Sequence, residues 1–175
     1  YFCVSVRPWK ESPADFVESL AKSLDQLAEE TGAQVVLLPL HQSADTPLCQ
    51  EVMSHMTHPA CCFHSHLGAQ QLIGVSAGAI FMMGMRLHAL IYGTAGAAPV
   101  MGLSYDEKVT SFLRSMENPH CIPIHEVTTQ NILHHAHEIL NHLEEERTRA
   151  EQARIHLREK AQRNCSYALQ LLKRD

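Results

Sequence analysis

The first forty residues constrain the chain more than any other stretch. YFCVSVRPW is an apolar, β-prone run that stops at Arg7-Pro8-Trp9. In the following ESPADFVESLAKSLDQLAEETG, Phe16, Val17, Leu20, Leu24, Leu27 and Ala28 recur at helical spacing. Ser12 suits the N-cap, Pro13 the first helical position, Asp15 the partner in a capping box, and Gly32 the C-terminal stop. AQVVLLPL is then an unbroken apolar run, as expected of a strand covered on both faces. Strand, helix and strand with a short return predict parallel pairing, and hence an α/β fold with helices flanking a parallel sheet.

Later segments repeat the alternation. AIFMMGM reads as a strand, RLHALIYGTAG as a helix, PVMGLSY as a strand and DEKVTSFLRSM as a helix. CIPIHEV reads as a last short strand. Residues 41–70 are less patterned: TPLCQEVMSHM predicts a short helix capped by Asp45 or Thr46, THPACCFHSHLG a loop, and QQLIGVSAGA another short helix. Gly93 and Gly96, set among alanines, predict close approach of a helix to the sheet, and Met82, Met83 and Met85 read as core filler. Residues 129–175 form a charged helical extension beyond the α/β part at 1–128. Ile132, Leu133, Ala136, Ile139, Leu140 and Leu143 make one apolar face, whereas EEERTRAEQAR has none and reads as solvent-exposed. Unbroken, that segment would run well over ~40 Å, enough to reach a neighbouring domain.

Composition removes several classes. The net charge of -5 comes without a lysine- or arginine-rich block, so a nucleic-acid surface is not expected. No apolar run reaches the ~20 residues of a membrane span, which leaves at most peripheral membrane contact. The six cysteines lack the density of a disulfide framework and read as reduced thiols in a cytoplasmic protein. The chain opens at Tyr1 inside a strand, which predicts the later part of a longer protein.

GMRLHALIYG places Arg86 and His88 in an otherwise apolar run. A guanidinium there needs a partner, because burying an unpaired charge is costly. If AIFMMGM is a parallel strand, both residues fall at its carboxyl end and the start of the next helix. Ligands of open α/β sheets bind at that edge, and free N–H groups of a helix start favour anions. Arg86 has the fork to grip a carboxylate or phosphate, and His88 can exchange a proton near neutral pH. Lys108 stands at the corresponding point after the next strand and supplies a second cation. The plain alternatives are a buried carboxylate partner for Arg86 and a merely surface-lying Lys108. From the residues alone, the reading is an anion site of unspecified chemistry.

The run GMRLHALIYGTAGAAPVMGLSYDEKV resembles the polysaccharide pyruvyl transferases through Gly84 to Ala89, Pro99, and Ser104 to Val109. VSVRPW is similar to the entry strand of that family's second domain. The resemblance implies a Rossmann-like domain at 1–128, forming the second half of a GT-B-like two-domain enzyme, with the long C-terminal helix packing back on an N-terminal domain. It implies transfer of an enolpyruvyl-derived unit from phosphoenolpyruvate to a sugar or lipid-linked saccharide acceptor, giving a pyruvate ketal on a cell-wall or extracellular polysaccharide. No metal or organic cofactor is implied. His88 is then the general acid, and Arg86 and Lys108 grip the donor. Arg7, at the end of the first strand, either contacts a ligand or pairs with a nearby acid while Trp9 stacks on it. The reaction would lie in the cytoplasm, at most at the inner face of the membrane, and the half alone would be inactive. The competing readings are a nucleotide-sugar glycosyltransferase of the same architecture and a non-catalytic ligand-binding domain.

Thirteen histidines invite a metal reading. Cys61, Cys62, His64 and His66 do not have structural-zinc spacing, because two of the cysteines are adjacent. His134, His135 and His137 read as a solvated helix face, and GVSAGA lacks the phosphate-loop pattern.

Overall fold

The computed structural model describes residues 1–63 and 65–172. In chain order the elements are β1 (Phe2–Ser5), α1 (Phe16–Thr31), β2 (Val35–Leu37), α2 (Gln42–His55), β3 (Ala60–Cys62), α3 (Ala69–Ala77) and β4 (Met82–Gly84). They continue with α4 (Leu87–Ala95), β5 (Val100–Ser104), α5 (Glu107–Arg114), β6 (Cys121–Pro123), a 3₁₀ turn at Ile124–Glu126, α6 (Thr129–Asn141) and α7 (Leu143–Leu172). All six strands pair in parallel, in the order β3-β2-β1-β4-β5-β6. The chain builds outward from β1 to β3, then crosses back to β4 and builds the other way. The reversal leaves a crevice at the carboxyl ends of β1 and β4.

Alternate residues of the strands feed two separate cores. Phe2, Val4, Val35, Leu37, Met83, Met101 and Leu103 pack against α1, α2 and α6, while Cys3, Val36, Met82 and Val100 pack against α4 and α5. Coverage of both faces explains the unbroken apolar strands of the sequence. Gly32 takes the left-handed conformation at the end of α1 (φ 68°), and its N–H donates to the Ala28 carbonyl.

Several local expectations are corrected. The first helix begins at Phe16 with Asp15 as N-cap, because Ser12 N–H closes a turn onto the Trp9 carbonyl and Phe16 N–H another onto Pro13. The second helix starts at Gln42, ahead of both predicted caps, and carries Pro47 inside it. Residues 60–62, predicted as loop, form the edge strand β3, short and partly exposed, so it lacks a strong apolar pattern. The helical extension breaks at His142. Its first part, α6, buries Ile132, Ala136 and Ile139 in the α1 core.

The start of α7 is not fully solvated either. Glu146 and Ala150 are buried beside Thr94, Ala98 and Val100, near the amino-terminal edge of the sheet. Glu146 accepts from Arg149 and faces buried His120, whose Nε2 lies 3.4 Å from Glu146 Oε1 without an aligned hydrogen bond. On α6, His135 turns inward so that its Nδ1 lies 3.4 Å from Nδ1 of His120. His137 pairs with Glu30 at 2.7 Å, and His134 stays exposed. Of the predicted solvated histidine face, only His134 remains fully exposed. From Ile155 onward α7 is largely exposed, with Tyr167, Leu169, Leu171 and Leu172 uncovered.

Gly96 shows why small residues follow α4. A Cβ there would lie 2.8 Å from the Ala77 nitrogen and 2.9 Å from the Ile73 carbonyl oxygen, both backbone atoms of α3. The small residues thus serve helix-to-helix as well as helix-to-sheet approach. Gly96→Ala is expected to destabilise the protein by about 1–3 kcal/mol, read from the denaturant midpoint. The histidine contact yields a second prediction. Burial lowers the pKa of His120 against the opposing pull of Glu146 and Glu138, and Arg149 adds to the lowering. His135 is lowered by burial, then by His120 and His134. Both are therefore held neutral in the fold, so their contribution is present above the unfolded value of about 6.5 and is lost as pH falls below it. Urea midpoints should drop on acidification through that range, and His120→Gln should flatten the drop.

Candidate functional site

The carboxyl edge of the sheet gathers the predicted residues. β4 ends at Gly84, where a Cβ would meet Ala89 Cβ at 3.0 Å and Leu90 Cδ2 at 3.1 Å. The missing side chain lets α4 come down onto the strand tip. Arg86 is the N-cap of α4, in extended conformation, and its carbonyl accepts the first helical bond from Ala89.

The partner that Arg86 requires is Asp45, in the first turn of α2. Arg86 Nε donates to Asp45 Oδ2 at 2.6 Å and Nη2 to Oδ1 at 2.5 Å. Asp45 is fully buried, and the Arg86 side chain is 21% exposed. The His41 N–H also donates to Asp45 Oδ2, at 2.9 Å. The side edge of the guanidinium is thus occupied from within. Its outer edge, Nη1 with the second hydrogen of Nη2, makes no hydrogen bond within the described residues.

Arg86 and His88 both line one open cleft of about 360 Å³. Leu40 and His41 enter it from the end of β2, His66, Leu67 and Gly68 from the loop after β3, and Tyr92 from α4. His88 is exposed in the first turn of α4, with its ring 6.1 Å from that of Tyr92. The N-terminus of α3 opens on the same space, and the cleft therefore faces the positive ends of two helices. One turn after Asp45 on α2, burial in the core pushes the Cys49 thiol up to about 12, which makes it a neutral packing group.

The other two predicted residues stand beyond this cleft. Lys108 is exposed in the first turn of α5, after Asp106 caps the helix by accepting from the Lys108 and Val109 N–H groups. Arg7 lies over the rings of Tyr105, at 5.0 Å, and Trp9, at 5.8 Å, and donates to the Tyr105 hydroxyl at 3.0 Å. The expected stacking on Trp9 is present, but the partner is a phenol and not a carboxylate. Arg86 and His88 are thus together, while Arg7 and Lys108 follow the neighbouring strand tips, after β1 and β5. Asp45, His41, His66 and Tyr92 were missed as site residues. For Asp45 the signal existed, since a buried arginine needs an acid; the loop histidines had none. Of the four residues weighed and set aside as a zinc set, His64 lies outside the described residues. Among the described residues no group of three metal-binding side chains forms, and no helix is long and apolar enough to cross a membrane.

The strand order and the crevice define a Rossmann-like α/β domain, and solved structures share that fold. MnaA of S. aureus in complex with UDP superposes with TM-score 0.63 at 14% identity, covering 86% of this chain and 39% of that one. A Listeria monocytogenes protein described as a UDP-N-acetylglucosamine 2-epimerase gives 0.64 at 12%, covering 86% and 39%. The Neisseria meningitidis UDP-GlcNAc 2-epimerase bound to UDP-GlcNAc gives 0.58 at 9%, covering 86% and 38%. The chain therefore spans about two fifths of these proteins, and the likeness establishes the fold. No curated protein matches it in sequence. The sequence model of the polysaccharide pyruvyl transferases matches residues 2–107, well over half of the chain, and the chain belongs to that family. The match takes in Arg7, Asp45, Arg86 and His88 and stops one residue short of Lys108.

Proposed function

We propose that this chain carries the donor site of a pyruvyltransferase that uses phosphoenolpyruvate and forms a ketal on a saccharide. The observation that supports the reading is that Arg86 and His88 line one cleft at the starts of two helices. Phosphoenolpyruvate carries a carboxylate and a phosphate, and such a cleft is suited to multiple negative charges. The outer edge of Arg86 grips one anionic group. Lys108 and Arg7, at the adjacent strand tips, serve the other anionic group or the acceptor.

In the proposed reaction protonated His88 gives its proton to the methylene carbon, which becomes the methyl group. The neighbouring carbon gains oxocarbenium character and is attacked by a sugar hydroxyl. Phosphate leaves, and a second hydroxyl closes the ketal. Of the two hydroxyl protons, one restores His88 and the other departs with phosphate. Charge neutralisation at the leaving group by fixed donors adds to the rate. The acceptor site and the remaining machinery are assigned to an N-terminal domain of the same protein. A cytoplasmic location, at most at the inner membrane face, belongs to the same proposal.

A second reading is nucleotide-sugar binding at the same edge, favoured by the UDP and UDP-GlcNAc complexes of the structural neighbours. Competition between phosphoenolpyruvate and UDP-sugars for the full-length protein separates the two. On the pyruvyl reading, His88→Ala lowers phosphate release from phosphoenolpyruvate by roughly 10²–10⁴-fold, with only a small change in donor affinity. Undiminished release by that variant would refute the assignment.

A further inference from the structure

We propose that Asp45 is the positioning residue of the site: it fixes the guanidinium of Arg86 so that its outer edge meets an anion in the cleft. The inference rests on the reading of that cleft as an anionic donor site. Asp45 lies outside the Gly-Met-Arg-Leu-His run and reaches Arg86 from α2, across the sheet from the far side of β1. Both of its oxygens are engaged by Arg86, and Oδ2 also accepts the His41 N–H. The carboxylate is therefore anchored by its own helix start, a favourable place for negative charge.

Two consequences follow for a ligand. An arginine side chain has several free torsions, and a two-point bond to a buried carboxylate fixes most of them before any ligand arrives. The ordering cost is then met in folding, and binding does not bear it. The pair also balances charge, so the guanidinium stays at the crevice without an uncompensated cation at the edge of the core. Stability alone does not account for such a pair, since a buried ion pair exchanged for packed apolar residues is often neutral or stabilising.

The test is calorimetric binding of inorganic phosphate and of phosphoenolpyruvate to the full-length protein and its variants. Asp45→Asn should weaken both anions by about tenfold or more, as expected for losing a charge-assisted contact that orders the ligand group. Asp45→Glu should recover part of that loss. Arg86→Gln should weaken both anions at least as much as Asp45→Asn, and the double variant D45N/R86Q should be no weaker than R86Q. Asp45→Leu with Arg86→Leu restores an uncharged interior; it should fold with near-native stability and bind neither anion. Native binding by that double leucine variant, or by Asp45→Asn, makes the pair structural and overturns the inference. If the native protein binds phosphate but not phosphoenolpyruvate, the donor reading fails while the phosphate series still judges Asp45. A native protein that binds neither anion overturns both.

Discussion

The contact between Asp45 and Arg86 joins the two halves of the sheet. Asp45 belongs to the half that grows from β1 toward β3, and Arg86 to the half that begins at β4. Hydrogen bonding between β1 and β4 sets how far apart their tips lie, but not which side chains meet above them. The ion pair adds that constraint. It draws the first turn of α2 toward the first turn of α4, which places His41 and His88 on one cleft. Breaking the pair by deleting one partner leaves a buried charge, a loss of about 3–5 kcal/mol in general experience. The greater exposure of Arg86 moderates the cost on its side, whereas Asp45 has no access to water. The arrangement is therefore tolerant of joint replacement and intolerant of single replacement.

The fold was legible wherever burial on both faces leaves a long apolar signal. β2 is fully buried, and α1 carries an apolar stripe that repeats over its whole length. The alternation of strand and helix from Ala79 to Arg114 was legible for the same reason. β3 was not, because an edge strand with one neighbour needs little apolar surface, and Ala60–Cys62 is only three residues long and preceded by His58-Pro59. The start of α2 was misplaced because Pro47 usually opens a helix. Here it sits deeper, where the lost bond is to the Ser43 carbonyl, and Asp45 is drawn inward by Arg86. Glu146 was read as solvated because a polar run has no periodic signal for a single buried carboxylate. Its burial depends on His120 and Arg149, and His120 comes from a distant part of the chain.

The lining of the candidate cleft was legible in half. Arg86 and His88 stood out because a charged pair breaks an apolar run, a contrast visible in one dimension, and both line the cleft. His41 and His66 reach the same cleft from loops whose composition predicts nothing beyond turns. Arg7 was placed at the correct strand tip, but its partner Tyr105 comes from beyond β5 and could be assigned only from the sheet order.

That order also distinguishes how the cations are held. Arg86 follows β4 and Lys108 follows β5, and adjacent strands lie about 4.8 Å apart. The two residues are therefore anchored one strand apart, but with different freedom. Arg86 is held at two points by a buried carboxylate, whereas Lys108 projects from an exposed helix start on a flexible stem. Arg7 is intermediate, constrained by two aromatic rings and a phenolic hydroxyl. On the proposed chemistry, the fixed cation sets where the donor sits. A mobile cation then suits the group whose charge moves most, the departing phosphate. The difference in freedom follows from whether the helix start behind each cation is tied to a neighbour across the switch point.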